Sequence, residues 1–185
     1  MDLTTVVPTP SDAPLKVAAV LGSNREGRFG PVIARWFLDR AAGHPDIDIE
    51  LIDVAEAGSP SERLARADAF VVLTPEYNHS YPAPLKDLID AHFTEWQAKP
   101  VGFVSYGGIS GGLRAVEHLR QVFAELHAVS VRDTVSFHNA GALFDDHGRL
   151  GDPAAADAAA KTMLDQLVWW GRALREARIL RPYGG

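Results

Sequence analysis

The chain has 185 residues, 46% of them hydrophobic, a net charge of -6 and no cysteine. That length and apolar content allow one domain with a core on both faces of a sheet, without disulfides or a structural metal. The missing thiols exclude disulfide frameworks and cysteine-held metal clusters, and the acidic balance, with Lys and Arg never gathered into runs, argues against a nucleic-acid surface.

In chain order, Met1 to Pro14 is rich in Pro, Thr and Asp and lacks the basic and apolar stretches of a secretory signal. It reads as a flexible segment over 1–14 ahead of a single domain over 15–185. No later stretch approaches the roughly 18 to 20 apolar residues of a membrane span. The expected location is therefore cytoplasmic. Lys16 to Leu21 is an apolar run ending at Gly22, a strand, and Pro31 to Ala42 repeats Val32, Ile33, Trp36 and Phe37 at helical spacing. Ile47 to Val54 alternates apolar with acidic residues, as an edge strand does. A short helix at Ser61 to Ala67 leads to Ala69–Thr74, whose Phe70-Val71-Val72-Leu73 has no polar face and must be buried on both sides. Leu85 to Phe93 is helical, Pro100 to Ser105 is a fourth strand, and Leu113 to Leu126 is an amphipathic helix. Val129 to Phe137 reads as a fifth strand, and Asp152-Pro153 opens a last helix to about Arg178.

Five βα units with apolar central strands predict a flavodoxin-like α/β three-layer sandwich, with a five-stranded parallel sheet of order 2-1-3-4-5 and helices on both faces. In such sheets ligands sit beyond the carboxyl ends of the strands, near the switch point between strands one and three. Three unusual loops fall there. The first, Gly22 to Gly30, opens a helix whose N-terminus favours anions; Ser23 and Asn24 add neutral donors, and Arg25 and Arg28 add forked cationic donors suited to a phosphomonoester. The second, Pro75-Glu76-Tyr77-Asn78-His79-Ser80-Tyr81-Pro82, can frame a planar heteroaromatic ring. Glu76 has no partner carboxylate for acid/base work, and His79 reads as a rim residue. The third, Ser105-Tyr106-Gly107-Gly108-Ile109-Ser110-Gly111-Gly112, offers backbone N–H groups to a ligand at close range. A phosphate cradle, an aromatic frame and a Gly-rich donor strip on one face describe a single ligand, FMN.

These residues resemble the NADPH-dependent FMN reductase family from about Lys16 to Arg178, on Gly22-Ser23-Asn24-Arg25-Glu26-Gly27-Arg28, on Pro75 to Ser80 with Leu85-Lys86, and on Ser105-Tyr106-Gly107-Gly108 leading to Gly111-Gly112-Leu113-Arg114. The resemblance implies that Ser23, Arg25 and Arg28 hold the FMN phosphate, that Glu76, Tyr77 and Asn78 line the ring and ribityl, and that Ser105, Gly107 and Gly108 bind the pyrimidine edge. Asn24, Phe29, Pro75 and Tyr106 complete the expected cofactor-binding set. It also implies NADPH or NADH as electron donor, a small-molecule acceptor such as a quinone, azo compound or free flavin, and a homodimer or homotetramer. No catalytic side chain is expected, since hydride chemistry belongs to the flavin. Two other classes stay open: a serine hydrolase, because Gly108-Ile109-Ser110-Gly111-Gly112 satisfies the nucleophile-elbow pattern with Asp145 and His147 following, and a non-enzymatic flavin-binding electron carrier. The seven histidines show no metal-ligand spacing.

Overall fold

The computed structural model describes residues 13–184; of the expected flexible segment, residues 1–12 lie outside the described residues. The Ala13 carbonyl accepts a bond of 3.0 Å from the Arg175 guanidinium, which anchors the start of the domain. The elements follow as β1 (Leu15–Leu21), α1 (Gly30–Ala42), β2 (Ile47–Asp53), α2 (Ser61–Arg66), β3 (Ala69–Pro75), α3 (Ala83–Asp90), β4 (Pro100–Tyr106), α4 (Leu113–Glu125), β5 (Val129–Ser130), β6 (Val135–Phe137), α5 (Ala140–Leu143) and α6 (Ala154–Leu180). The sheet runs β2-β1-β3-β4-β5, with β6 also on β4 and every pairing parallel. The flavodoxin-like order expected from the sequence is therefore the one observed.

Alternation along β1 builds both cores. Val17, Ala19 and Leu21 face Ile33 and Phe37 of α1 and Leu164 and Leu167 of α6, while Ala18 and Val20 face Leu64, Leu85, Ile89, Leu119 and Phe123 from α2, α3 and α4. β3 and β4 are buried at every position, as unbroken apolar strands covered by helices on both faces should be. β2 lies at the sheet edge and is only half covered, which its acidic alternation required.

The fifth strand differs from the expectation. Val101 pairs Ser130 but Val104 pairs Val135, so two extra residues bulge out between β5 and β6. Val131 stays buried and on the ladder, its N–H 2.9 Å from the Val101 carbonyl, and the break falls on the polar Arg132-Asp133-Thr134. Side chains satisfy the freed backbone: Arg120 donates to the Val131 and Arg132 carbonyls at 2.8 and 2.9 Å, and Gln166 accepts the Asp133 N–H at 3.1 Å. An edge position tolerates such a bulge. The third helix also starts and ends earlier than its apolar spacing suggested. Pro82 immediately precedes it, and beyond Asp90 the chain turns so that Trp96 is fully buried, its indole N–H donating to the Ile89 and His92 carbonyls at 3.2 and 3.0 Å.

α6 packs on β1 so closely that a Cβ added at Gly171 would lie 2.5 Å from the Leu15 Cδ1, and Leu15 is itself fully buried. Alanine would gain about 1 kcal/mol of helix propensity but would force a shift in a packed core, for which overpacking costs about 1–3 kcal/mol. Gly171→Ala is therefore expected to lower the denaturation midpoint; an unchanged or raised midpoint would contradict this packing.

Candidate functional site

Parallel strands in register leave their carboxyl ends side by side. Leu21 pairs Leu73, and Thr74 and Pro75 pair Ser105 and Tyr106, so the loops after β1, β3 and β4 emerge together. Arg25 to Phe29, Pro75 to Tyr77, Tyr106, Gly107, Ala140 and Gly141 line one cleft of about 380 Å³. That volume falls within the range of small-ligand sites.

Hydrogen bonds fix the loops to one another. Ser23, fully buried, shares a bond of 2.7 Å with the Tyr77 hydroxyl, joining the first loop to the second. The Glu76 carboxylate, whose side chain is only 6% exposed, joins the second to the third: it accepts from Ser110 Oγ at 2.7 Å, from Arg114 Nε at 2.6 Å and from the Arg114 backbone N–H at 3.3 Å. Burial opposes ionisation of Glu76, but these donors outweigh it and hold the carboxyl below its ordinary range. The third loop is braced from behind by Gly107 N–H on the Phe137 carbonyl and by Asn139 and Ala140 N–H on the Gly108 and Gly107 carbonyls.

Local conformation explains the sequence of each loop. Tyr77 and Ser80 exchange both backbone bonds, at 2.8 and 3.0 Å, across Asn78 and His79, which both have positive φ. This two-residue turn is the geometry Asn tolerates better than most residues. Gly111 and Gly112 are left-handed at φ 60° and 85°, and a Cβ at Gly112 would meet the Tyr106 backbone N at 2.9 Å. Gly108 faces open space.

The expected residues divide into three groups. Arg25, Arg28, Phe29, Pro75, Glu76, Tyr77, Tyr106 and Gly107 meet at the cleft, and the Arg25 guanidinium lies 5.9 Å from the centre of the Tyr77 ring. Ser23 and Ser105 are fully buried behind it; Ser105 Oγ donates to the Gly111 carbonyl at 2.8 Å, so its side chain supports the loop from beneath. Asn24 turns instead toward a neighbouring cavity with Asp53, Val54 and His92, Asn78 is exposed at the tip of its turn, and Gly108 is exposed beyond the residues that line the cleft.

Two roles differ from the simplest sequence reading. Arg28 is already engaged within the protein: it grips both oxygens of Asp53 at 2.6 and 2.5 Å and also donates to the Ser23 carbonyl. The Asp53 bond raises the Arg28 pKa further above its ordinary value. Arg25 forms no ion pair among the described residues, and the N–H groups of Asn24 to Gly27 have no partner there. The Gly107 N–H, likewise, is already used by Phe137, whereas those of Gly108 and Ile109 have no partner among the described residues. Asp53 was missed as a site residue; its place at the carboxyl end of β2 was the available signal. α5, which brings Ala140 and Gly141 to the cleft, left no periodic trace.

Ser110 donates to Glu76, and among the described residues no histidine bonds to it. Asp145 accepts the His147 and Arg149 backbone N–H groups at 2.9 Å and is a turn residue. The nucleophile-elbow match is thus a loop tether. Among the described residues no cluster of His, Asp or Glu could hold a metal ion, and no helix is long and apolar enough to cross a membrane.

Known proteins share this sequence pattern and this fold. Residues 15–142 match the family model described as NADPH-dependent FMN reductase. An NAD(P)H-dependent FMN reductase of Schizosaccharomyces pombe is 34% identical over 120 residues, covering 52% of this chain and 60% of that protein, so the match leaves two fifths of the yeast protein uncovered. A quinone reductase of Escherichia coli K12 is 34% identical over 141 residues, 62% of this chain and 72% of the relative. Among solved structures, the flavoenzyme NAD(P)H:(acceptor) oxidoreductase FerB of Paracoccus denitrificans superposes with a TM-score of 0.69 at 20% identity, over 86% of this chain and 98% of that one, a likeness of fold.

Because the folded state lowers the Glu76 pKa, the tether stabilises the protein above the unfolded value of about 4.3 and is lost as pH falls through the lower folded value. Glu76→Gln is expected to cost about 1–3 kcal/mol at pH 7 and progressively less below about pH 4. Denaturant titration at both pH values checks this; an equal loss at each would show that the charge plays no part.

Proposed function

From the premise that this chain belongs to the NADPH-dependent FMN reductase family, we propose that its cleft binds FMN and that the protein passes electrons from NADPH or NADH to a small acceptor of the quinone type. The observation that carries this reading is that Arg25, Tyr77 and Gly107, from three separate loops, line one cleft.

The donor set suits a phosphorylated, flat ligand. Arg25, Glu26 and Gly27, whose backbone N–H groups have no partner among the described residues, line the cleft together, while Arg28 with Asp53 and Glu76 with Arg114 are neutralised within the protein. Arg25 is thus the cation left for a phosphate, and Arg28 holds the loop in shape by bonding Asp53 and the Ser23 carbonyl. Tyr77 is fixed through Ser23 as an aromatic wall, and the Gly108 and Ile109 N–H groups remain for a carbonyl edge. When bound, FMN supplies the two-electron chemistry that connects a nicotinamide donor to the acceptor. The protein therefore needs no acid/base pair, and Glu76, held ionised by Ser110 and Arg114, is no proton donor near neutral pH. Assembly into a homodimer or homotetramer belongs to the same reading; it is supported by the exposed apolar pair Trp169 and Trp170, 64% and 38% accessible on the outer side of α6.

The purified protein, mixed with FMN and then with NADPH under anaerobic conditions, is expected to show flavin absorbance that bleaches, with steady turnover once a quinone is added. Protein that ignores FMN overturns the reading, and bleaching without quinone turnover marks an electron carrier. Gly108→Leu gives a cleaner variant than most, because a side chain there meets nothing within 4 Å of its own Cβ. It should keep the wild-type melting temperature and lose flavin; undiminished binding would remove the third loop from the site.

A further inference from the structure

His138, an exposed residue between β6 and α5, lies outside the cleft lining and grips the third loop. Its Nδ1 is 2.7 Å from the Ile109 carbonyl, and its Nε2 is 3.3 Å from Ser136 Oγ, which in turn donates to the Gly111 carbonyl at 2.8 Å. The imidazole fits so closely against the loop that a Cβ added at Gly111 would lie 2.7 Å from its Cδ2. A carbonyl only accepts, so Nδ1 carries a proton. Nε2 then has two states. In the neutral ring its lone pair competes with the Gly111 carbonyl for the single Ser136 proton; in the imidazolium it donates to Ser136, which keeps its own bond to Gly111. Protonation thus completes an unbroken chain of bonds from His138 through Ser136 to the loop.

The same short connection sets the direction of the loop's backbone donors. The Ala140 and Asn139 N–H groups bond the Gly107 and Gly108 carbonyls at 3.1 and 2.8 Å. In a trans peptide the N–H points opposite to the carbonyl, so the Gly108 and Ile109 N–H groups turn away from that connection, and neither has a partner among the described residues. With the Ile109 carbonyl held by His138, three consecutive peptide units are anchored by three consecutive residues. Neither Ser105 to Gly112 nor Val135 to Leu143 contains an acidic residue, a lysine or an arginine. Glu76 and Arg114, tied to the loop through Ser110, neutralise each other at 2.6 Å.

We propose that His138 is a positioning residue for the third loop: protonated, it locks the Gly108 and Ile109 donors in the orientation that receives the carbonyl edge of the flavin ring, and neutral, it loosens them, so that the hold on the cofactor tightens in mild acid. The inference rests on the reading of the cleft as a flavin site.

His138→Gln keeps a side-chain N–H for the Ile109 carbonyl but cannot take a charge, and at an exposed position it leaves the core untouched. Dissociation constants for FMN, measured by fluorescence quenching at about pH 5.5 and about pH 8, bracket the range in which histidine side chains ordinarily titrate. The ratio of variant to wild type should be near one at the higher pH and about three-fold or more at the lower, the size of one hydrogen bond. Any titration of the FMN phosphate, of His79 or of His118, which bonds Ser80 at 3.0 Å, is common to both proteins and cancels in that ratio. Glu76 stays ionised at both pH values, because its donors hold it below its ordinary range. A ratio that is the same at both pH values overturns the proposal, as does unchanged FMN affinity in His138→Ala, which lacks both bonds. A merely structural role would lower the melting temperature of flavin-free His138→Gln equally at both pH values and leave the ratio flat. Wild-type protein that binds no FMN at either pH refutes the flavin site itself, and the two failures are therefore distinguishable.

Discussion

Because β1, β3 and β4 are parallel and paired in register, the loops that follow them leave the sheet as neighbours, and the Glu76 carboxylate then ties the second loop to the third. A carboxylate this enclosed is costly unless its oxygens are occupied. Ser110, the Arg114 backbone and the Arg114 guanidinium occupy them, so the charge that would repel an anionic ligand is cancelled inside the wall. Asp53, bonded to the back of the first loop, is cancelled by Arg28 in the same way, whereas Glu26 lines the cleft and forms no ion pair among the described residues. The consequence is electrostatic: in an acidic protein, two acids next to the cleft are neutralised within its wall, and Arg25 lines it with no ion pair among the described residues.

The layer order and the two cores were legible because their signals are periodic. Unbroken apolar runs such as Phe70 to Leu73 can only be buried on both sides, and the alternation in Ile47 to Val54 fits only an edge. Where the sequence misled, a local event had no periodicity. The apolar residues Val129, Val131, Val135 and Phe137 read as one strand, yet Arg132 to Thr134 leave the ladder, and the freed backbone bonds Arg120 and Gln166, partners distant in the chain. Trp96 ends its segment through indole bonds that no hydrophobic pattern encodes.

For the cleft, the sequence marked three loops that the fold brings together, but not which of their atoms are already bonded. Residue type marked Arg25 and Arg28 as equal phosphate donors, but only the fold brings Asp53 beside one of them. Gly107 and Gly108 looked alike as backbone donors, and only the approach of Phe137 distinguishes them. Ser110 matched a nucleophile pattern by spacing alone, and its hydroxyl is committed to Glu76. In each case the missing information was a contact between segments far apart in sequence. The Tyr106 hydroxyl is the converse case, a buried group with no partner among the described residues.

The hairpin turn at Asn78 and His79 bears on how costly association is. A two-residue turn closed by both of its backbone bonds has little conformational freedom left, and its aromatic member is already pinned by Ser23. Ordering a mobile loop around a ligand subtracts from affinity, roughly 0.5–1.5 kcal/mol for each side chain immobilised. Here that entropy is spent when the chain folds, so preorganisation leaves more of the contact energy of an arriving ring available for binding.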